Sequence, residues 1–206
     1  MARLTRLDVT DLTLARGPRT LFRELSFSVE AGQAVVLVGE NGAGKTSLLR
    51  SIAGLLQPSG GTIRFLSDEA DVDTHEAIRT QCHLVGHLDG LAGARPVRDE
   101  LRFWAVWTGG SIDIALDAAD RLGLARLLDL PVRKLSAGQR RRVALIRLVA
   151  SSRALWLLDE PTTALDAASR AWIGTAMGAH LDAGGLIVAA AHDPLPILAR
   201  TVEVGR

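Results

Sequence analysis

The chain is predicted to fold as an α/β domain, and three observations point there. Short apolar runs of strand length alternate with stretches of helical spacing. A glycine-rich run, GENGAGKT at 39–46, follows directly on one apolar run. Another apolar run, ALWLLDEP at 154–161, ends in two carboxylates. With 206 residues and 48% hydrophobic content the chain fits one domain that buries most of its surface. Its 24 basic and 23 acidic residues leave a net charge of +1, which argues for no particular partner. No apolar run reaches the roughly 20 residues needed to cross a bilayer, because Arg, Asp or Glu interrupts each candidate. The opening MARLTRLDVTDLTL carries Asp8 and Asp11 where a signal peptide needs an apolar stretch. A single cysteine forbids an internal disulfide and suits a reducing compartment. A soluble, cytosolic domain is the expectation.

Taken in order, RLDVTDLTL at 6–14 and LSFSVEAG at 25–32 alternate with period two and predict an antiparallel pair. AVVLVG at 34–39 has no polar face and predicts a strand buried on both sides. After Gly44 the spacing predicts a helix through Leu56, broken by Pro58 and the Gly60, Gly61 pair. A strand near TIRFL at 62–66 follows, then DEADVDTHEA at 68–77, read as a polar connection, then a strand through CHLVG at 82–86. Residues 97–130 are mostly helical in pattern. A helix at 136–150, the strand ALWLLD, a helix at 166–182 and the strand LIVAAA complete the core, with no internal repeat.

The run at 39–46 is the strongest chemical signal. It matches Gly, four residues, Gly-Lys and then Ser or Thr, placed between a buried strand and a helix. Gly39, Gly42 and Gly44 let the backbone curl, so that N–H groups along Glu40, Asn41 and Ala43 point inward at phosphate oxygens. Lys45 then reaches the β- and γ-phosphates, the Thr46 hydroxyl is a candidate Mg²⁺ ligand, and Ser47 continues the binding turn. Asp159 and Glu160 emerge together at the carboxyl edge of the sheet, where open α/β folds bind ligands. Asp159 is the second candidate Mg²⁺ ligand, and Glu160 is placed to orient and deprotonate an attacking water.

With LSAGQ at 135–139 preceding that acidic strand, the sequence resembles the ATP-binding cassette ATPases over essentially its whole length. The resemblance implies an ABC-type, P-loop NTPase nucleotide-binding domain spanning 1–206. Its parts are a RecA-like core, an N-terminal antiparallel β subdomain and an inserted α-helical subdomain at about 88–150. It implies that ATP and Mg²⁺ are bound and ATP is hydrolysed, that LSAGQRRRVALIRL is the signature loop and helix, and that His192 in AAAHD is the switch histidine. ALD at 164–166 becomes the D-loop, ending in Asp166. Ser136, Gly138 and Gln139 open a helix, a second anion site in a chain that already has one. That makes sense if they close over the ATP of a second copy, as domains of the family do head to tail. The run Arg140, Arg141, Arg142 then reads as the solvated and interfacial face of the signature helix, and no nucleic-acid partner is expected.

Two departures from the family pattern are informative. The family usually stacks an aromatic on adenine about 25 positions before the phosphate loop, whereas LTLARGPRTLF offers Arg16, whose guanidinium can stack on a base. After the second core strand the family carries a glutamine, and that place falls here on His87. Cys82, His83 and His87 also raise the question of a metal site. On a helix the two histidines would share a face, but on a strand residues four apart lie roughly 13 Å apart. LVGH before GL, the aromatic helix FWAVW and GGLIVAAAHDPL together look like the ATP-binding subunits of cytochrome c maturation haem exporters. That implies a peripheral subunit on the cytoplasmic face of a bacterial inner membrane. Its partners would be integral-membrane transporter subunits and, indirectly, a periplasmic haem chaperone. The alternatives are the ATPase of another small ABC exporter and a soluble, non-transport ABC ATPase. Phe103, Trp104 and Trp107 are the candidate surface for the membrane subunits, or else packing of the helical part.

Overall fold

The computed structural model describes residues 3–68 and 70–205; residues 1, 2, 69 and 206, which fall in the N-terminal reading, the connection at 68–77 and the C-terminus, lie outside them. β1 (Arg6–Arg16) and β2 (Arg19–Glu30) pair antiparallel across a two-residue turn, with Arg16 opposite Arg19. Gly17 supplies the left-handed φ of 60° that this turn needs. β4 (Gly60–Ser67) adds to β1 and β5 (Ala70–Val72) to β4, giving the antiparallel order β2-β1-β4-β5. Alternation buries Leu7, Val9, Leu12 and Leu14 on one side of β1.

The second sheet is parallel throughout. Its order is β6 (Cys82–Val85), β7 (Leu155–Asp159), β8 (Leu186–Ala190), β3 (Ala34–Val38), β9 (Arg200–Glu203). Strand parity divides the side chains between two apolar layers. Val35, Leu37, Leu155, Leu157, Leu186 and Val188 face α1 (Lys45–Ile52) and the antiparallel sheet beyond it. Trp156, Leu158, Ile187 and Ala189 face α5 (Ala137–Val149) and α6 (Ala167–Asp182). Burial of Leu48, Leu49 and Ile52 contributes about 1.5–3 kcal/mol each, which seats α1 between the sheets. α3 (Val97–Trp107) and α4 (Ile112–Arg121) build a separate apolar cluster with Val143 and Ile146 of α5. No helix of the described residues is long and apolar enough to cross a membrane.

Four expectations need correction. The helix after Gly44 ends at Ile52, four residues early, because Gly54 turns left-handed (φ 70°) and the amides of Gly54 and Leu55 fold back onto Ser51 and Arg50 carbonyls. The connection at 68–77 holds β5 and the start of α2 (Thr74–Gln81), whose Asp73 cap accepts from the Glu76 amide at 2.9 Å. α2 buries one residue, Ala77, so it has almost no apolar periodicity to read. β9 carries no apolar periodicity that predicts a strand, for the same reason: only Val202 of its four residues is buried. The arginine run is not a solvated face throughout: Arg141 is 5% exposed, whereas Arg140 and Arg142 are half-buried and donate to the Leu135 carbonyl at 2.7 Å and the Leu122 carbonyl at 2.8 Å.

Candidate nucleotide site

Loops from the carboxyl ends of β3, β6, β7 and β8 converge on one cavity of about 600 Å³. Parallel pairing lines up those four ends, so residues distant in sequence share one rim. The phosphate loop forms the floor. Gly39, Gly42 and Gly44 all have positive φ, at 144°, 83° and 111°. A Cβ on Gly39 would sit 2.3 Å from the Val204 carbonyl oxygen, so no other residue fits without moving β9's continuation. Among the α-helices of the described residues, α1 has neither a capping side chain nor an acidic residue in its first turn. Its free N–H groups and positive end therefore stay available to an anion.

The Lys45 ammonium folds over the loop, donating to the carbonyls of Gly39 (2.7 Å) and Glu40 (3.1 Å). Thr46 and Asp159, 113 positions apart, meet: the Thr46 hydroxyl lies 3.0 Å from each carboxylate oxygen. Two adjacent hard oxygen donors suit Mg²⁺, which keeps waters and substrate phosphate oxygens as its other ligands rather than needing a protein cage. No cluster of three or more His, Cys, Asp or Glu side chains able to hold a metal occurs among the described residues. Glu160 follows Asp159 in a left-handed conformation (φ 52°), unusual for a residue with a side chain. One carboxylate oxygen accepts from the Thr163 hydroxyl at 3.1 Å; the other lies 3.6 Å from His192 Nε2.

His87 lines the same cavity, as do Asn41, Ser47 and Arg16, the last from the β1–β2 turn beside Leu21. Leu21, Arg50 and Thr163 also line it and were not singled out from the sequence. Glu40 and Ala43 contribute loop backbone, with the Ala43 amide donating to the Glu40 carbonyl at 3.2 Å. Ser136, Gly138, Gln139 and Asp166 do not line it. Ser136 and Gln139 form a reciprocal capping box on α5, and Asp166 caps α6, its carboxyl held below the usual range by hydrogen bonds from Ser169. Gly138 passes close to the D-loop, where an added Cβ would meet the Ala164 carbonyl at 2.9 Å.

The histidine question resolves by the extended backbone of β6 and its end at Val85. Cys82 and His83 point to opposite faces of β6, and His87 lies beyond its end in the cavity. Burial pushes the Cys82 thiol up to about 12. His83 stacks on Trp104, with ring centroids 5.9 Å apart, and the Arg147 guanidinium covers the same indole at 4.2 Å. Trp104 also donates to the buried Glu100 carboxylate at 2.9 Å. Of the three aromatics on α3, then, one packs and two are exposed, Phe103 and Trp107.

The comparisons with known proteins agree with this geometry. The pattern that defines the ABC transporter family matches residues 22–163. A cytochrome c biogenesis ATP-binding export protein, CcmA, of Rhodopseudomonas palustris (strain BisB5) is 47% identical over 194 residues, 94% of this chain and 95% of the relative. The protein of the same name from Bradyrhizobium diazoefficiens is 48% identical over 190 residues, 92% of this chain and 93% of its own. Among solved structures, the ATP-binding cassette MJ0796, described as a dimeric post-hydrolysis state with ADP and Pi, superposes with a TM-score of 0.81 at 21% identity, covering 97% of this chain and 94% of that one. An ATP-binding subunit of an ABC transporter gives 0.79 at 24% identity, covering 91% and 80%. These two likenesses concern the fold.

Proposed function

The chain belongs to the ABC transporter family, and from that premise we propose that it is the ATP-hydrolysing subunit of the haem exporter complex of cytochrome c biogenesis. One observation carries the ATPase reading: an uncapped helix start, a Thr46–Asp159 oxygen pair and the Glu160–His192 pair share one cavity. Lys45 and the free amides of the phosphate loop and α1 bind the polyphosphate and offset the charge that grows on it during transfer. Thr46 and Asp159 are the residues that would hold Mg²⁺, which supplies Lewis-acid polarisation of the phosphoryl oxygens. Glu160 orients a water and takes its proton, and His192, beside the Glu160 carboxylate, steadies that group. His87 offers a ring nitrogen to the same water network, as the family's glutamine offers its amide. Arg16 presents a planar cation to the base. The products are ADP and phosphate.

The 206 residues act as one ABC ATPase domain, with the helical part at about 88–150 as its partner-facing insertion. Ser136, Gly138, Gln139 and Asp166 lie outside the chain's own cavity, which supports their closing over the ATP of a second copy. Phe103, Val106 and Trp107 are exposed in a groove of about 370 Å³ that Arg95, Asp99 and Arg102 also line, and this face receives the integral-membrane subunits. Docked there, the chain is peripheral on the cytoplasmic side of the inner membrane, and its turnover serves a periplasmic haem chaperone only through those subunits. The names of its relatives carry the cytochrome c part of this reading. Glu160→Gln tests it: the variant should bind Mg-ATP, accumulate as a dimer on sizing chromatography and lose hydrolysis. A monomer that still hydrolyses ATP at the wild-type rate would refute the role. Co-purification of tagged chain from detergent-solubilised membranes should bring cytochrome c biogenesis subunits; those of another transporter would refute the haem assignment alone.

A further inference from the structure

We propose that Arg141 is a positioning residue for hydrolysis, clamping the His87 loop and the Glu160 backbone to one guanidinium; the inference rests on Glu160 as the group that activates water. Arg141 sits in the second turn of α5 and is almost wholly buried. Its Nη1 donates to the Gly86 carbonyl at 2.9 Å and to the Asp89 carboxylate at 3.0 Å. Its Nη2 donates to the carbonyls of Asp159 at 2.5 Å and Glu160 at 2.8 Å. Four acceptors from two separate segments are thus held by one rigid plane.

What the plane holds is chemically informative. Gly86 and Asp89 flank His87, so the clamp fixes both ends of the short loop that presents it to the cavity. On the other side Glu160 is left-handed, a conformation that persists only where its surroundings determine it. The Glu160 amide donates to the Ala190 carbonyl at 2.8 Å, and its own carbonyl accepts from Arg141. With the backbone tied at both ends, the carboxylate is directed toward Thr163 and His192. The Arg141 Nε is buried without a hydrogen-bond partner among the described residues, and the two Nη atoms carry the hydrogen bonds to both segments. A lysine could not replace it, because one ammonium cannot span both pairs of acceptors in a plane. Since α5 begins with the signature capping box, the same side chain also ties the start of that helix to the catalytic carboxylate.

The test compares Arg141→Lys and Asp89→Ala with the wild-type chain in steady-state hydrolysis of Mg-ATP, binding of a fluorescent ATP analogue, and thermal unfolding. Misplacement of a reacting group by about 1 Å costs on the order of 100-fold, so Arg141→Lys should lower kcat by about 10- to 100-fold. Analogue affinity should stay within about threefold, because the phosphate loop is untouched. Asp89→Ala removes one of the four contacts, and kcat should fall by roughly two- to tenfold at unchanged affinity. Asp89→Ala also keeps the inference testable if Arg141→Lys does not fold. Wild-type kcat per folded molecule in either variant, with only a lower Tm, would overturn the inference and leave a structural role. Loss of kcat and nucleotide affinity together would overturn it as well. A wild-type chain that binds but does not hydrolyse ATP would instead refute the reading of Glu160, and the inference with it.

Discussion

Replacing His83 by Phe should flatten the acid side of the stability profile. The imidazole is 3% exposed, and neither ring nitrogen has a hydrogen-bond partner among the described residues. Burial first, and then the charges of Arg147 and Arg153, push its pKa from 6.5 down to about 3. Below its ordinary pKa the unfolded chain takes up a proton that the folded chain refuses. The His83 contribution is therefore intact above about pH 6.5 and is lost as pH falls toward about 3. At about pH 5 the gap to the unfolded pKa is roughly 1.5 units, at about 1.4 kcal/mol per unit, or about 2 kcal/mol. His180, stacked on Trp156 and pushed by burial down to about 4, adds a similar loss, but it does so in both proteins. Phe keeps the ring against Trp104 and leaves no buried nitrogen unpaired, so at about pH 7.5 the two proteins should agree within about 1 kcal/mol. Urea unfolding followed by tryptophan fluorescence at about pH 7.5 and about pH 5 decides it: the wild type should lose about 2 kcal/mol more than the variant. Equal losses would mean that His83 protonates without unfolding, and the burial argument would fail. Stabilisation of the wild type, but not the variant, by added zinc would restore the metal reading.

Lys45→Ala removes the ammonium that folds over the phosphate loop and should slow hydrolysis by about 100- to 1000-fold at saturating Mg-ATP; near-normal turnover would move the phosphate site elsewhere. His87→Gln should keep kcat within about threefold, while His87→Ala should impair stimulation by the membrane subunits more than nucleotide binding; measuring basal and stimulated rates for both separates the two effects. Trp107 is 67% exposed, so Trp107→Ser should leave stability within about 0.5 kcal/mol yet weaken co-purification of the membrane partner; undiminished capture would place docking on another face. Cys82, buried with its thiol pushed up to about 12, should resist a thiol reagent at about pH 8 until the chain is unfolded in urea; fast labelling of the native protein would contradict its place in the core.

The phosphate loop and the acidic strand were legible because their chemistry is local. The proposed phosphate contacts of Gly39 to Thr46 use contiguous backbone amides, and Asp159 and Glu160 end one apolar strand, so spacing alone carries the inference. The place of Arg141 is not legible from its surroundings in sequence, because its neighbours there are arginines while its acceptors lie 18, 19, 52 and 55 positions away. A signal was present all the same: Arg141, Ala144, Leu145 and Leu148 fall at i, i+3, i+4 and i+7, which puts a charge on the buried stripe. Amino-acid order thus determined the elements whose periodicity or loop chemistry is self-contained. The contact of Thr46 with Asp159, the left-handed Glu160 facing His192 and the separation of His83 from His87 came from packing. Parallel pairing brings four strand ends to one rim, and the layers packed on each face of the sheet decide what each alternate side chain meets; neither result is encoded in any single segment.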